Sequence, residues 1–117
     1  MAFKFEELKV WKRAVELSGE ISEFTKSFPK NELYVLTSQM QRATDSIALN
    51  IAEGSTGQTN PEFKRFLSFA LRSAIEVVCC LYLAKNRKLI EQERFDHFYQ
   101  FLTELVKSIQ ALRNSIR

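Results

Sequence analysis

Phe66-Leu67-Ser68-Phe69-Ala70-Leu71-Arg72-Ser73-Ala74-Ile75-Glu76-Val77-Val78-Cys79-Cys80-Leu81-Tyr82-Leu83-Ala84 is the stretch that decides how this chain folds. It holds no Pro and no Gly, and its only charges are Arg72 and Glu76. An unbroken run of this length and composition reads as helix. Apolar side chains fall on nearly every side of it, and a helix that is apolar all round has to be covered all round. A chain of 117 residues can bury one side of such a helix in its own core, not every side. The remaining sides call for a second copy of the chain, with Leu71, Arg72, Ile75, Glu76, Val78 and Tyr82 as the expected contact residues.

Toward the N-terminus of that run, Gly54-Ser55-Thr56-Gly57-Gln58-Thr59-Asn60 reads as a loop. Pro61 suits the first turn of the helix, with Thr59 or Asn60 as its cap and Glu62 completing a capping box. The third helix then runs to about Lys85. Before the loop, a second helix is expected from about Glu32 to Glu53. Leu36, Met40, Ala43, Ile47, Asn50 and Ile51 lie on its inner face, Asn31 is its expected cap, and Gly54 its left-handed terminator. Pro29 separates it from a first helix, about Glu6 to Lys26, whose inner stripe is Val10, Ala14, Leu17, Ile21, Phe24 and Phe28. Beyond Asn86-Arg87-Lys88-Leu89, a fourth helix from about Glu91 to Ser115 carries Phe98, Leu102, Leu105, Ile109, Leu112 and Ile116. Helices of equal length with short joints predict one all-α domain over residues 1–117, an antiparallel up-down-up-down four-helix bundle, with copies closing into a homo-oligomeric ring.

Adjacent Cys79 and Cys80 point about 100° apart on a helix and cannot pair there, so a reducing, cytoplasmic setting fits. No signal peptide is expected in the charged N-terminal stretch, and Arg72 and Glu76 argue against a membrane span. The formal net charge is +3, and it is unevenly spread. Residues 54–90 hold six basic and two acidic side chains, against seven and eight in residues 1–53 and four and four in residues 91–117. Lys64, Arg65, Arg87 and Lys88 are accordingly the expected basic surface for nucleic acid or a partner protein.

The run Gln39-Met40-Gln41-Arg42-Ala43-Thr44-Asp45-Ser46-Ile47-Ala48-Leu49-Asn50-Ile51-Ala52-Glu53-Gly54 resembles a bacterial family of four-helix-bundle proteins, first noted as reading frames inside intervening sequences of large-subunit (23S) ribosomal RNA genes. Phe5-Glu6-Glu7-Leu8-Lys9-Val10-Trp11, Phe28-Pro29-Lys30, Leu36-Thr37-Ser38-Gln39 and Glu62-Phe63-Lys64-Arg65-Phe66-Leu67 extend the resemblance over the whole chain. Val35, Ala48-Leu49, Gln58 and Arg72-Ser73 depart from the family's pattern, and Gln58 in place of the usual Arg weakens an anion-binding role for the loop. The resemblance implies a homopentameric ring. A related group, similar in fold and assembly, is the accessory variability determinants of diversity-generating retroelements. These bind a reverse transcriptase and nucleic acid through basic surface.

Arg42, Asn50, Glu53 and Gly54 are read as structural motif residues. Arg42 is expected to pair with Asp45, Arg72 with Glu76 or across an interface, and Asn50 with backbone near the loop or with another helix. His97 is expected on the surface, and Cys79 and Cys80 inside. The residues show no nucleophile–base pair, metal-ligand cluster or cofactor loop, so the expectation is a non-enzymatic, self-assembling scaffold or adaptor without cofactors. It would carry nucleic acid or a nucleic-acid enzyme on the basic surface. A small-ligand binder or enzyme with a site lined by Asn50 or Glu76, and a structural protein with no partner beyond itself, are the alternatives.

Overall fold

A computed structural model describes residues 2–57 and 59–117. Among these, four α-helices make a packed bundle without strands: α1 Lys9–Thr25, α2 Ser38–Ser55, α3 Asn60–Asn86 and α4 Gln92–Ser115. α2 and α3 share the most extensive packing, α1 rests on α2 and α4 on α3, and α1 and α4 touch more lightly. The molecule measures 43 × 22 × 22 Å, with its long axis close to the ~40 Å rise of α3.

The core is the stripe that helical spacing defines. Val10, Ala14, Leu17, Ile21, Phe24 and Phe28 are all buried, as are Leu36, Met40, Ala43, Ile47 and Ile51, and Phe98, Leu102, Leu105 and Ile109. Leu112 and Ile116 are half-buried against the same core. α3 contributes Phe63, Leu67, Ala70, Leu71, Ala74, Val77, Cys80, Leu81 and Ala84. By length and composition α3 is also apolar enough to cross a membrane, with a mean hydropathy of 1.7 in its most apolar window. In this fold those nine side chains face the other three helices instead.

The helix ends differ from the sequence expectation in four places. Residues Lys4–Glu7 form a separate 3-10 turn, closed by the Phe3 N–H donating to Glu6 Oε1 at 2.9 Å, and Leu8 is extended, so α1 starts at Lys9 and not at Glu6. The segment before α2 is a 3-10 turn, Lys30–Glu32, followed by a wide π turn, Leu33–Thr37. Glu32 takes the capping role expected of Asn31, its carboxylate accepting from the Leu36 N–H at 3.4 Å. The extra residue of the π turn swings Tyr34 and Val35 outward while Leu36 stays in the core.

Gly54 is not a left-handed terminator, since no described glycine has a positive φ. It lies inside α2, where a Cβ would stand 2.6 Å from the Cβ of Phe66 and 3.1 Å from the ring of Phe63. Its missing side chain lets α2 and α3 approach. The left-handed residue is Lys88, with φ 59°. The Leu89 N–H reaches back to the Ala84 carbonyl at 2.8 Å and the Lys88 N–H to that of Lys85 at 3.0 Å, the paired bonds of a Schellman stop. At the start of α3, Thr59 Oγ1 accepts from the Glu62 N–H at 3.2 Å, and Pro61 sits in the first turn. Gln58 lies outside the described residues.

Candidate self-association face and basic surface

Helix α3 turns a second stripe away from the core. Arg72, Ile75, Glu76, Cys79, Tyr82 and Leu83 recur at steps of three and four along it and are all exposed. Ile75 keeps 64% of its surface in solvent and Tyr82 52%. Leu71, by contrast, keeps 8% and packs into the chain's own core, and Val78 is half-buried against that core. Of the six residues expected at a contact between copies, Arg72, Ile75, Glu76 and Tyr82 are free to meet one. Leu71 is already covered. Cys79 is exposed, not buried as expected, while Cys80 is buried. Burial, followed by the nearby Glu76 and Cys79 charges, pushes the Cys80 thiol from 9.0 up to about 11, against a smaller opposing pull from Arg87.

On its α2 side the stripe borders an open groove of about 790 Å³, lined in part by Tyr34, Val35, Arg42, Leu49 and Glu76. Tyr34 keeps 89% of its surface exposed and Leu49 62%. The floor of the groove is polar and internally satisfied. Asp45 Oδ1 accepts from Ser18 Oγ at 2.6 Å and from Gln41 Nε2 at 2.8 Å. Ser46 Oγ accepts from Ser73 Oγ and from Asn50 Nδ2, both at 2.9 Å, and the Asn50 amide also donates to the Ser46 carbonyl at 2.8 Å. Asn50 therefore bonds one turn back on its own helix and, through Ser46, reaches α3. Glu53 is exposed at the end of the same flank.

The expected Arg42–Asp45 pair does not form, and Arg72 and Glu76 do not pair with each other within the chain. Asp45 is occupied by Ser18 and Gln41, which leaves Arg42 without an ion pair among the described residues. Arg72 and Glu76 stay exposed and unbridged within the chain, because both point away from the core and water solvates them separately. The groove rim and the stripe thus present apolar side chains together with unbridged charges of both signs. Leu49 was within reach of sequence reasoning, since it steps along with Arg42 and Glu53. Tyr34 was not, because the π turn that exposes it has no periodic signature.

The expected basic surface is split. Lys64 and Arg65 occupy the first turns of α3, while Arg87 and Lys88 close its far end, roughly 35 Å away at 1.5 Å per residue. Arg87 is also engaged, its Nη1 lying 2.9 Å from Glu32 Oε1. At the Lys64 end the structure brings in two cations from elsewhere in the chain. Lys4 Nζ lies 5.1 Å from the centroid of the Phe63 ring. Arg113 on α4 donates to Ser68 Oγ at 3.1 Å, and Ser68 Oγ donates to the Lys64 carbonyl at 3.1 Å. Arg65 stands over the Phe69 ring at 5.4 Å. On the opposite side of the bundle, exposed His97 meets Glu20 at 2.6 Å and ties α4 to α1.

The sequence model of the 23S rRNA-intervening sequence protein family matches residues 6–111. Among solved structures, the chain is similar to a crystal structure of a protein with unknown function from the S23 ribosomal protein family of Bacteroides thetaiotaomicron VPI-5482. The two share 24% identity over 90% of this chain and 95% of that one, with a TM-score of 0.83, a likeness that speaks for the fold alone. No curated protein matches the chain.

Proposed function

The chain belongs to the family of 23S rRNA-intervening sequence proteins, and from that premise we propose that it is a non-catalytic, self-assembling helical scaffold. Its helices run up-down-up-down, each antiparallel to the next. Ser46 meets Ser73 while Gly54 abuts Phe66, Ser68 meets Arg113 while Tyr82 abuts Phe95, and Arg13 meets Phe101 while Phe24 meets Arg94, so numbers rise on one helix as they fall on its neighbour, which supports this. Copies meet through the outer stripe of α3 and the rim of the α2–α3 groove and close into a ring, five by the family likeness. Cargo, either nucleic acid or a partner protein, binds basic surface left outside those contacts. Free Cys79 and Cys80 suit a reducing, cytoplasmic setting.

The observation that carries this reading is the exposure of Ile75 and Tyr82 along the outer stripe of α3, together with that of Leu49 and Tyr34 at the groove that Glu76 of the same stripe also lines. Exposed large apolar side chains are ordinary singly, but a contiguous set marks a contact surface. Leaving such a set in water costs roughly 25 cal/mol per Å². The non-catalytic part rests on the groove's polar groups, where Asp45, Ser46 and Asn50 already bond one another's neighbours. Multi-angle light scattering tests the reading. The wild type is expected as a multiple of 13.6 kDa, and Ile75→Glu with Tyr82→Glu is expected to shift it to the single-chain mass while helicity is retained. A doubly substituted protein that keeps the wild-type multiple would remove α3 from the contact.

A further inference from the structure

Two kinds of contact hold cations in this protein. Arg13, Lys26 and Arg87 lie against the carboxylates of Glu16, Glu23 and Glu32 at 2.8, 3.0 and 2.9 Å, so each charge is offset by a neighbour. Other cations have neutral partners: Lys85 lies over the Phe95 ring and Arg94 over those of Phe24 and Phe98, and around the first turns of α3 several such cations gather. Lys4 rests on the Phe63 ring, Arg65 on the Phe69 ring and Arg113 on the Ser68 hydroxyl, with Lys64 one turn from Ser68. Ring faces and hydroxyls fix a cation in place without cancelling its charge. None of these four side chains has an ion pair among the described residues.

Aromatic surface accompanies the charge. Phe3, next to Lys4 in the chain, keeps more than half of its surface exposed. Its ring stacks on that of Phe5 at 6.0 Å, and Phe5 is braced edge-on by Trp11 at 4.8 Å. An exposed ring, supported from behind and next to uncancelled cations, is the pairing that unpaired bases and their phosphates recognise. A duplex hides its base faces from such a ring, and acidic lipid headgroups use the cations alone.

We propose that this end of the bundle binds a single nucleic-acid strand, with phosphates on Lys4, Lys64, Arg65 and Arg113 and a base on Phe3. The inference rests on the scaffold reading for its context and names the cargo. It also moves the basic surface, with Lys4 and Arg113 taking the places expected of Arg87 and Lys88. Four phosphate contacts on a single strand give a salt slope of about −2.8, so binding weakens about 50-fold between ~50 and ~200 mM salt.

The test is fluorescence anisotropy with an oligouridylate of about 20 nucleotides, the duplex of equal length, and phosphatidylserine vesicles, using the whole chain. The wild type is expected to bind the strand with that salt dependence and to prefer it to the duplex. Lys64→Gln with Arg65→Gln should reduce the 50-fold ratio to about sevenfold, in keeping with two remaining contacts. Lys88→Gln with Lys107→Gln removes the same net charge elsewhere and should leave binding within twofold. Phe3→Ala should narrow the preference for strand over duplex. Thermal melts by circular dichroism establish that each variant is folded. No strand binding at ~50 mM salt, equal losses in the two charge variants, or binding to vesicles alone overturns the proposal. Light scattering on the same samples separates the two readings. A single-chain particle that binds the strand sinks the scaffold and leaves this inference standing, whereas an assembled particle that ignores the strand does the reverse.

Discussion

At Gly54 the space between two helices admits one hydrogen atom and no carbon. Any side chain there drives its Cβ to 2.6 Å from the Cβ of Phe66, a contact between two atoms fixed to their helix backbones. Gly54→Ala is therefore expected to lower the urea midpoint by an amount equivalent to about 1–3 kcal/mol, the usual cost of overpacking. Were glycine needed only to end the helix, alanine would cost a fraction of that. Cys80 makes a second residue-level prediction. Its folded thiol ionises near pH 11, above the usual thiol range, so between about pH 9 and 11 the unfolded chain has lost a proton that the folded chain keeps. Stability falls as pH rises through that window, by up to about 2 kcal/mol. Urea midpoints of the wild type and Cys80→Ala should diverge above pH 9 and run parallel below it. Parallel curves throughout would mean the thiol titrates normally.

At the scale of the element, α3 has three duties that its sequence runs together. One side is core, one is the proposed contact between copies and one is open. Leu71 and Ile75 sit four residues apart and look alike in sequence, yet Leu71 is buried and Ile75 is not. Leu71→Glu should unfold the chain, because it places a charge in the core with no partner. Ile75→Glu should leave the melt close to wild type at concentrations where the chain is single. A folded Leu71→Glu protein would place that side chain outside the core.

The inner stripes were legible because burial repeats with the helical period, and every expected position from Val10 to Phe24 on α1, with Phe28 just beyond it, is buried. The π turn at Leu33–Thr37 was not legible, since it breaks that period for five residues. Gly54 was misread because a glycine at a helix end and a glycine at a helix crossing look the same in one dimension. The split of the basic surface was readable from the rise of α3 alone, since Lys64 and Arg87 are on one helix, more than twenty residues apart. The cluster that replaces it was not. Lys4 meets Phe63, and Arg113 meets Ser68, only once the bundle is packed.

For the whole molecule, one long side and one end differ from the rest. The side carrying Tyr34, Leu49, Ile75 and Tyr82 exposes large apolar side chains, and the end carrying Lys4, Lys64, Arg65 and Arg113 holds four cations without an ion pair among the described residues. In the proposed ring, repetition would bring several such ends within one field, so a modest charge per copy would become a strong one. Closing the proposed ring would also cover the side whose exposure is hardest to explain in a lone chain. Assembly is thus the premise from which the rest of the account follows, and native mass at micromolar concentration measures it directly. The account predicts a defined multiple of 13.6 kDa, with a melting temperature that rises with concentration. A stable particle of single-chain mass, with a melt indifferent to concentration, would contradict it.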